Sequence, residues 1–140
     1  MSVVIINVSN HTLTDAQTYG GKAQVVELPS TLKKDYSNIV PSEVNEISNR
    51  LMEFIMYTSN DYRHNNKVIV HLAGHPSTTA QVSQRLSEKW FTTQLVYGHS
   101  IRDSVEELNE DGTIVKRNVF NFNGWYDMHT NKLVELKDLV

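Results

Sequence analysis

The sequence predicts a three-layer α/β domain with a mainly parallel sheet and a C-terminal β-hairpin. Over residues 1–100, short apolar runs alternate with segments of helical periodicity, which is the pattern of parallel strands joined by helices. Over residues 101–140, two extended runs flank the turn-forming stretch Asn109–Gly112, which indicates a hairpin followed by a tail. No repeat, low-complexity tract or linker divides the chain, so residues 1–140 are predicted to form a single domain.

The first predicted strand is Val3–Val8, a continuous apolar run of the kind that is buried on both faces of a sheet. A short helix is expected next, because Thr12 or Thr14 can cap its start and Gly20-Gly21 can end it. Residues 23–28, AQVVEL, form the second predicted strand.

A polar stretch at residues 30–38 leads to Pro41-Ser42, where a longer helix is predicted to start. Residues 59–66 break its pattern, and its apolar side is formed by Val44, Ile47, Leu51, Phe54 and Ile55. Lys67–Leu72 is the third predicted strand. A helix over Ser77–Trp90 and a fourth strand over residues 91–99 complete the alternating part. Residues 125–140 are compatible with either a further strand or a short terminal helix.

Composition excludes several classes of function. The apolar and charged fractions, 39% and 21%, are those of an ordinary soluble globular protein. A net charge of -3 provides no global positive field, so long nucleic acids are not expected as partners. The chain contains no cysteine, which excludes disulfides and thiolate chemistry. No signal peptide or membrane span is recognisable, and a cytoplasmic location without membrane contact is expected.

Polar residues follow three of the predicted strands, and in open parallel sheets ligands bind at these carboxyl ends. The candidates are Ser9, Asn10 and His11 after the first strand, Gly74, His75, Ser77, Thr78 and Thr79 after the third, and His99 and Arg102 after the fourth. If the first and third strands are neighbours, their two clusters meet in one crevice.

The junction after the third strand has two interpretations. Gly74 lets the backbone approach a ligand, and the N–H groups and hydroxyls of Ser77–Thr79 at a helix start suit a phosphate. Alternatively, Ser77 or Thr78 is only the N-cap that such a helix needs. The stretch is not a G-x-x-x-x-G-K-[ST] loop, so it gives no support to ATP hydrolysis.

The six histidines differ in their context. His71 lies within a strand, where a hydrogen-bonded core or interface role is the simplest interpretation. His64 and His129 lie in polar sequence and are expected to be solvated. Neither His-x-x-x-His spacing nor a His/carboxylate cluster occurs, so no metal site is predicted. In the hairpin, Arg102 and Arg117 are candidates for a phosphate clamp or for surface ion pairs.

The opening segment INVSNHTLTDAQ resembles the start of small CRISPR-associated proteins related to the CARF domain. In these proteins a strand leads into an Asn/Ser–His–x–Leu–Thr–x–x–Gln segment, which is matched here by Asn10, His11, Leu13, Thr14 and Gln17. The stretch VHLAGHPSTTAQVSQRL is similar to a second signature of this group, with matches at Gly74, Ser77 and Thr78.

The resemblance implies a Rossmann-like homodimer that binds a cyclic oligoadenylate messenger of antiviral signalling across its two-fold axis. Some relatives are ring nucleases that cut the messenger without a metal or cofactor and form a 2′,3′-cyclic phosphate. The resemblance implies that His11 and Asn10 are catalytic and that Gln17, Gly74, Ser77 and Thr78 contact the ligand. Position at the strand ends adds further candidates for ligand contact, which are Ser9, His75, Thr79, His99 and Arg102. Two alternatives remain: a sponge or sensor that binds the messenger without cutting it, and an adaptor without a small-molecule ligand.

Overall fold

A five-stranded mixed sheet forms the centre of the molecule. The computed structural model describes residues 2–140, and its strands are β1 (Ser2–Val8), β2 (Gln24–Glu27), β3 (Asn66–Leu72), β4 (Gln94–Leu108) and β5 (Ile114–Asp127). They lie in the order β2-β1-β3-β4-β5. Strands β1 to β4 are parallel, and β5 pairs with β4 in the antiparallel sense. The predicted α/β class is confirmed, with a parallel sheet that extends over four strands.

Three α-helices cover one face of this sheet: α1 (Ser30–Ser37), α2 (Val44–Tyr62) and α3 (Pro76–Glu88). Their buried apolar side chains share a single cluster with alternate residues of β1 and β3. The helical members are Leu32, Tyr36, Ile47, Leu51, Ile55, Val82 and Leu86, and the strand members include Val4, Ile6, Val8, Val68, Val70 and Leu72. No helix of residues 2–140 is long and apolar enough to cross a membrane.

The opposite face is covered by irregular chain rather than by α-helices. Val3, Ile5, Ile69 and Val96 pack there with Trp125, Val134 and Leu136. The covering segments are the turns at residues 15–22 and the C-terminal segment after β5, which contains a bridge from Leu133 to Tyr126 and a short 3₁₀ turn, Lys137–Leu139. The prediction of a helical layer on both faces is therefore wrong.

The helix predicted after β1 is the reason for this difference. Thr14 and Gln17 make reciprocal backbone–side-chain hydrogen bonds of 2.8 and 3.3 Å, which is the expected capping arrangement. However, Tyr19, Gly20 and Gly21 all have positive φ angles, 56°, 69° and 83°. Right-handed helix cannot continue through three such residues, so only turns form.

Other predicted boundaries also differ. Helix α1 forms in the polar stretch for which no helix was predicted. Its buried residues, Leu32 and Tyr36, lie about one helical turn apart and pack on the core. Helix α2 continues to Tyr62. Its last turns bury Thr58 and Ser59, and the apolar pattern does not show these positions because both residues are small and polar.

The hairpin is confirmed, and it is longer than expected. Its turn closes with a hydrogen bond of 2.8 Å from Asn109 N to Thr113 O. Strand β4 pairs with β3 only over Gln94–Val96, and beyond this point its partner is β5. We call residues 97–124 the arm. At about 3.3 Å per residue it projects roughly 40 Å beyond the parallel sheet. The boundary placed between residues 100 and 101 therefore lies inside one continuous strand.

Candidate functional site

A row of polar side chains crosses the sheet near the carboxyl ends of three neighbouring strands. Glu27 of β2, Asn7 of β1 and His71 of β3 are adjacent in register. Alternate residues of a strand point to opposite faces. Because Val8 and Leu72 pack in the helix-side cluster, Asn7 and His71 point to the face without helices.

Asn7 is fully buried and uses both ends of its side-chain amide. Its Nδ2 donates to the backbone oxygen of His11 at 2.8 Å and to Glu27 Oε2 at 3.1 Å. Its Oδ1 accepts from Ser9 Oγ at 2.7 Å and lies 3.1 Å from His71 Nδ1. Because a carbonyl oxygen can only accept, Nδ1 of the neutral His71 ring carries the proton and Nε2 carries the lone pair.

His71 is held in its neutral form. Burial and, to a smaller extent, the charge of nearby His11 lower the pKa of His71 from 6.5 to about 4. Its ring packs against Trp125, with the ring centroids 5.0 Å apart. His71 Nε2 makes no hydrogen bond within residues 2–140. Ser48 Oγ is the one side-chain polar atom of these residues that is both buried and without a partner, so His71 Nε2 is accessible to solvent. The site thus presents an unprotonated imidazole nitrogen with a defined tautomer.

The predicted catalytic residues His11 and Asn10 lie at the surface in the loop after β1. The backbone N–H of His11 donates to Ser9 Oγ at 3.3 Å, and its imidazole is close enough to affect the pKa of His71. Asn10 Oδ1 accepts from Ser37 Oγ at 3.0 Å, which leaves its Nδ2 as a donor for a ligand. The structure therefore places the backbone oxygen of His11 and the imidazole of His71 on one side chain, Asn7, at the ends of β1 and β3.

Trp125 packs beside His71 and is held there by Gln17. Trp125 is fully buried, and its Nε1 donates to the backbone oxygen of Gln17 at 3.1 Å. Gln17 Oε1 accepts from Thr14 N at 2.8 Å, so Nε2 is its remaining polar atom. A Cβ at Gly98 would lie at ordinary contact distances of 3.4 Å from Trp125 Cζ3 and 3.5 Å from Gln17 Nε2, and its one tight contact would be with Phe122 Cε1 at 3.2 Å.

The start of α3 is capped by its own residues. His75 is the N-cap, and its Nδ1 accepts from the backbone N of Thr78 at 3.3 Å and lies 3.0 Å from Thr78 Oγ1. The N–H of Thr79 donates to His75 O at 2.9 Å, and Thr79 Oγ1 donates to Pro76 O at 3.0 Å. Pro76 has no N–H, so Ser77 supplies the one N–H of this turn without a partner within residues 2–140. The capping interpretation accounts for most of the polar atoms here, with His75 in place of Ser77 or Thr78.

Gly74 is required by a neighbouring side chain. Its φ is +131°, and a Cβ at this position would lie 2.5 Å from Tyr36 Oη. The same hydroxyl donates to Ala73 O at 2.7 Å, and burial raises the pKa of Tyr36 to about 12, so it stays protonated at neutral pH. The close backbone approach that glycine permits is therefore to Tyr36.

His99 and Arg102 belong to the arm and do not meet His11. The ring of His99 contacts the ring of Tyr126, with centroids 5.7 Å apart. The Arg102 guanidinium lies 6.0 Å from the centre of the Phe120 ring, and four residues of extended strand place it roughly 13 Å beyond Gly98.

The predicted arginine clamp does not form within one chain. Arg117 pairs with Glu107 at 2.6 Å, as the surface ion-pair interpretation expected. In the hairpin register Arg117 lies opposite Val105, whereas Arg102 lies opposite Phe120, so the two arginines do not face each other. Among residues 2–140, no three histidine or carboxylate side chains are grouped in a way that would hold a metal ion.

One family, described as the uncharacterized protein MJ1673 family, has a model that matches residues 3–126. The chain belongs to this family. The matched span runs from β1 to the penultimate residue of β5, so the MJ1673 family match includes both the His11–His71 site and the whole arm. No curated protein and no solved structure matches the chain.

Sequence reasoning missed the centre of the site in this MJ1673-family chain. Asn7, Glu27 and Trp125 were not singled out, and His71 was interpreted as a core or interface group. A signal was present, because Asn7 and His71 each interrupt an apolar strand one residue before its end. A polar residue at the same position of two strands is unexpected in a sheet buried on both faces unless the side chains bind each other or a ligand.

Proposed function

We propose that the protein binds a cyclic oligoadenylate and cleaves it without a metal ion. The observation that carries the proposal is that Asn7 links His11 and His71 at the carboxyl ends of β1 and β3, because it contacts the backbone oxygen of His11 at 2.8 Å and the His71 ring at 3.1 Å. The class of ligand comes from the resemblance of the segments around Asn10–Gln17 and Gly74–Thr78 to CARF-related proteins. The chemistry comes from the two imidazoles, which are the usual side chains for proton transfer near neutral pH.

We also infer that the domain is related to Rossmann-like folds. The strand order β2-β1-β3-β4 reverses direction between β1 and β3. In doubly wound sheets this switch point is where ligands bind, outside the carboxyl ends of the strands. The row containing Asn7 and His71 lies at this place, which supports a ligand site there in preference to the arm.

Cleavage by this site would proceed through the 2′-hydroxyl of the ligand. The 2′-oxygen attacks the adjacent phosphorus, a new O2′–P bond forms and the P–O5′ bond breaks. We assign both proton transfers to the exposed side chain of His11, which accepts the proton of the 2′-hydroxyl and delivers a proton to the leaving 5′-oxygen. We assign alignment to His71, because its neutral Nε2 accepts a hydrogen bond from the 2′-hydroxyl but holds a proton poorly at pH 7. Asn10 Nδ2 and the Ser77 N–H are donors for the phosphate oxygens.

The second candidate function is sequestration of the same ligand without cleavage. The low pKa of His71 favours it, since a base of this strength removes few protons at pH 7. The capped start of α3 also leaves few donors to stabilise charge on a phosphorane. A site with one competent imidazole would bind and orient the ring but leave it intact.

The test uses the purified protein with cyclic tri-, tetra- and hexa-adenylate in the presence of EDTA. Native mass spectrometry measures binding, and chromatography identifies the products. We expect linear products with a 2′,3′-cyclic phosphate end. His11→Asn should lower the rate by about 10²- to 10⁴-fold while binding persists. His64→Asn, which changes a histidine in a surface loop, should leave the rate unchanged.

Other outcomes of this experiment would contradict parts of the proposal. A tight complex with an intact ring would replace cleavage by sequestration. Turnover that disappears in EDTA would contradict the metal-free step. Full activity in both His11→Asn and His71→Gln would move the chemistry away from this site. Absence of binding to all three rings would refute the ligand class and favour an adaptor role.

A further inference from the structure

The arm exposes apolar side chains on both of its faces. One face carries Ile101 and Val105, and the other carries Leu108, Ile114 and Phe120, as the strand register shows. Leu108 is 76% exposed and Phe120 is 66% exposed. Apolar residues at these positions are not needed for the packing of the domain, because the two buried clusters include no residue from 99–121.

The arm also lacks the support that a ribbon of this length needs. Beyond Val96, β4 pairs with β5 alone, and within residues 2–140 no strand pairs with either outer edge of the ribbon. An isolated two-stranded hairpin is at best marginally stable in water, and three strands or packing on another element are normally required. Long exposed strands of this kind pair with other chains unless they are covered. The ribbon is therefore expected to pack against another protein surface.

We propose that the arm is the surface through which two copies of this chain associate. The charges on the arm favour a second copy. Arg102 lies two residues before Ser104 and Glu106 lies two residues after it, on the same face. When two arms are related by a two-fold axis that passes through Ser104 perpendicular to the strands, Arg102 of each copy lies opposite Glu106 of the other. The arm carries both acidic and basic side chains, so its electrostatic field does not favour binding of a polyanion or a polycation.

The size of the arm agrees with a dimer in which both of its faces are covered. A ribbon of two strands about 40 Å long and about 10 Å wide presents roughly 400 Å² on each face. Stable interfaces bury about 800 Å² on each partner. The two-fold contact at Ser104 covers the face that carries Arg102 and Glu106, and it supplies half of this area. The exposed apolar residues of the other face, Ile101 and Val105, supply the rest where the body of the partner packs against them.

The proposal is tested by sedimentation velocity on the full chain without ligand. We expect a species of twice the 16.0 kDa chain mass. Phe120→Ser should weaken association by at least about tenfold, as expected for a buried aromatic anchor. Trp90→Ser is the matched control, because Trp90 is 89% exposed and lies outside the arm. It should leave the dimer intact. Circular dichroism checks that each variant is folded.

A charge exchange separates pairing between chains from a structural role of the arm. Arg102→Glu alone should weaken the dimer, and adding Glu106→Arg should restore it. Within one chain these residues are four positions apart along a strand, roughly 13 Å, so they cannot compensate for each other there. A monomeric wild-type protein at 100 μM, undiminished association in Phe120→Ser, or failure of the double exchange to restore the dimer would each overturn the proposal. None of these results depends on the ligand of the His11–His71 site.

Discussion

The neutral state of His71 predicts that the protein loses stability in mild acid. The ring is buried against Trp125 and its Nδ1 proton is engaged by Asn7, so the folded protein binds a second proton only near pH 4. In the unfolded chain the same ring is protonated near 6.5. Below pH 6.5 the unfolded state therefore binds more protons than the folded state. The free energy of unfolding falls as the pH decreases from 6.5 towards 4, and it is unaffected by this group above 6.5.

The size of the effect follows from the two pKa values. The difference between 6.5 and about 4 corresponds to about 3 kcal/mol once the pH is below both values. At pH 5 about 2 kcal/mol of this is already lost relative to pH 7. This is a large part of the roughly 5–15 kcal/mol that stabilises a typical domain. Most carboxylates titrate below pH 5, so a comparison of pH 7 with pH 5 reports mainly on the histidines, and the His71 variant is needed to separate its contribution.

The assay is urea unfolding at pH 7 and pH 5, followed by tryptophan fluorescence, since Trp125 is buried in the folded state. The perturbation is His71→Gln, which keeps a hydrogen-bond donor for Asn7 but cannot titrate. We expect the wild type and the control His64→Gln to lose about 2 kcal/mol between the two pH values and His71→Gln to lose little. The same loss in all three proteins would refute the reasoning. An NMR titration of the wild type gives an independent check, and a pKa near 6.5 for His71 would contradict the burial argument.

Two further predictions concern the loop and helix after β3, both measured as free energies of unfolding. Gly74→Ala should lower the free energy of unfolding by about 3 kcal/mol, because it combines an unfavourable φ with a clash against Tyr36. Gly112 also has a positive φ but has open space around it, so Gly112→Ala should cost about 1 kcal/mol. Equal losses at the two positions would show that Tyr36 is not a barrier. His75→Ala should cost about 1 kcal/mol through loss of the α3 cap, and Ser77→Ala should change stability by less than about 0.5 kcal/mol. The reverse order would make Ser77 the cap.

The candidate site could be predicted only in part. The polar loop after β1 identified Asn10 and His11, and the pattern of apolar runs placed that loop at the end of a strand. The partner of His11 could not be found in this way, because a histidine within a strand has the same local sequence signal whether it lies in a core or lines a crevice. Its role depends on the register that sets His71 beside Asn7.

The sequence by itself determined the elements whose signals are local. Apolar runs identified β1 and β3, helical spacing identified α2, and the turn-forming residues Asn109–Gly112 identified the hairpin. Only the tertiary structure decided that all three α-helices lie on one face, that His75 caps α3, and that the arm stands away from the sheet. The physical reason is that periodicity reports whether a residue is buried, whereas strand order and register decide which distant residues bury it.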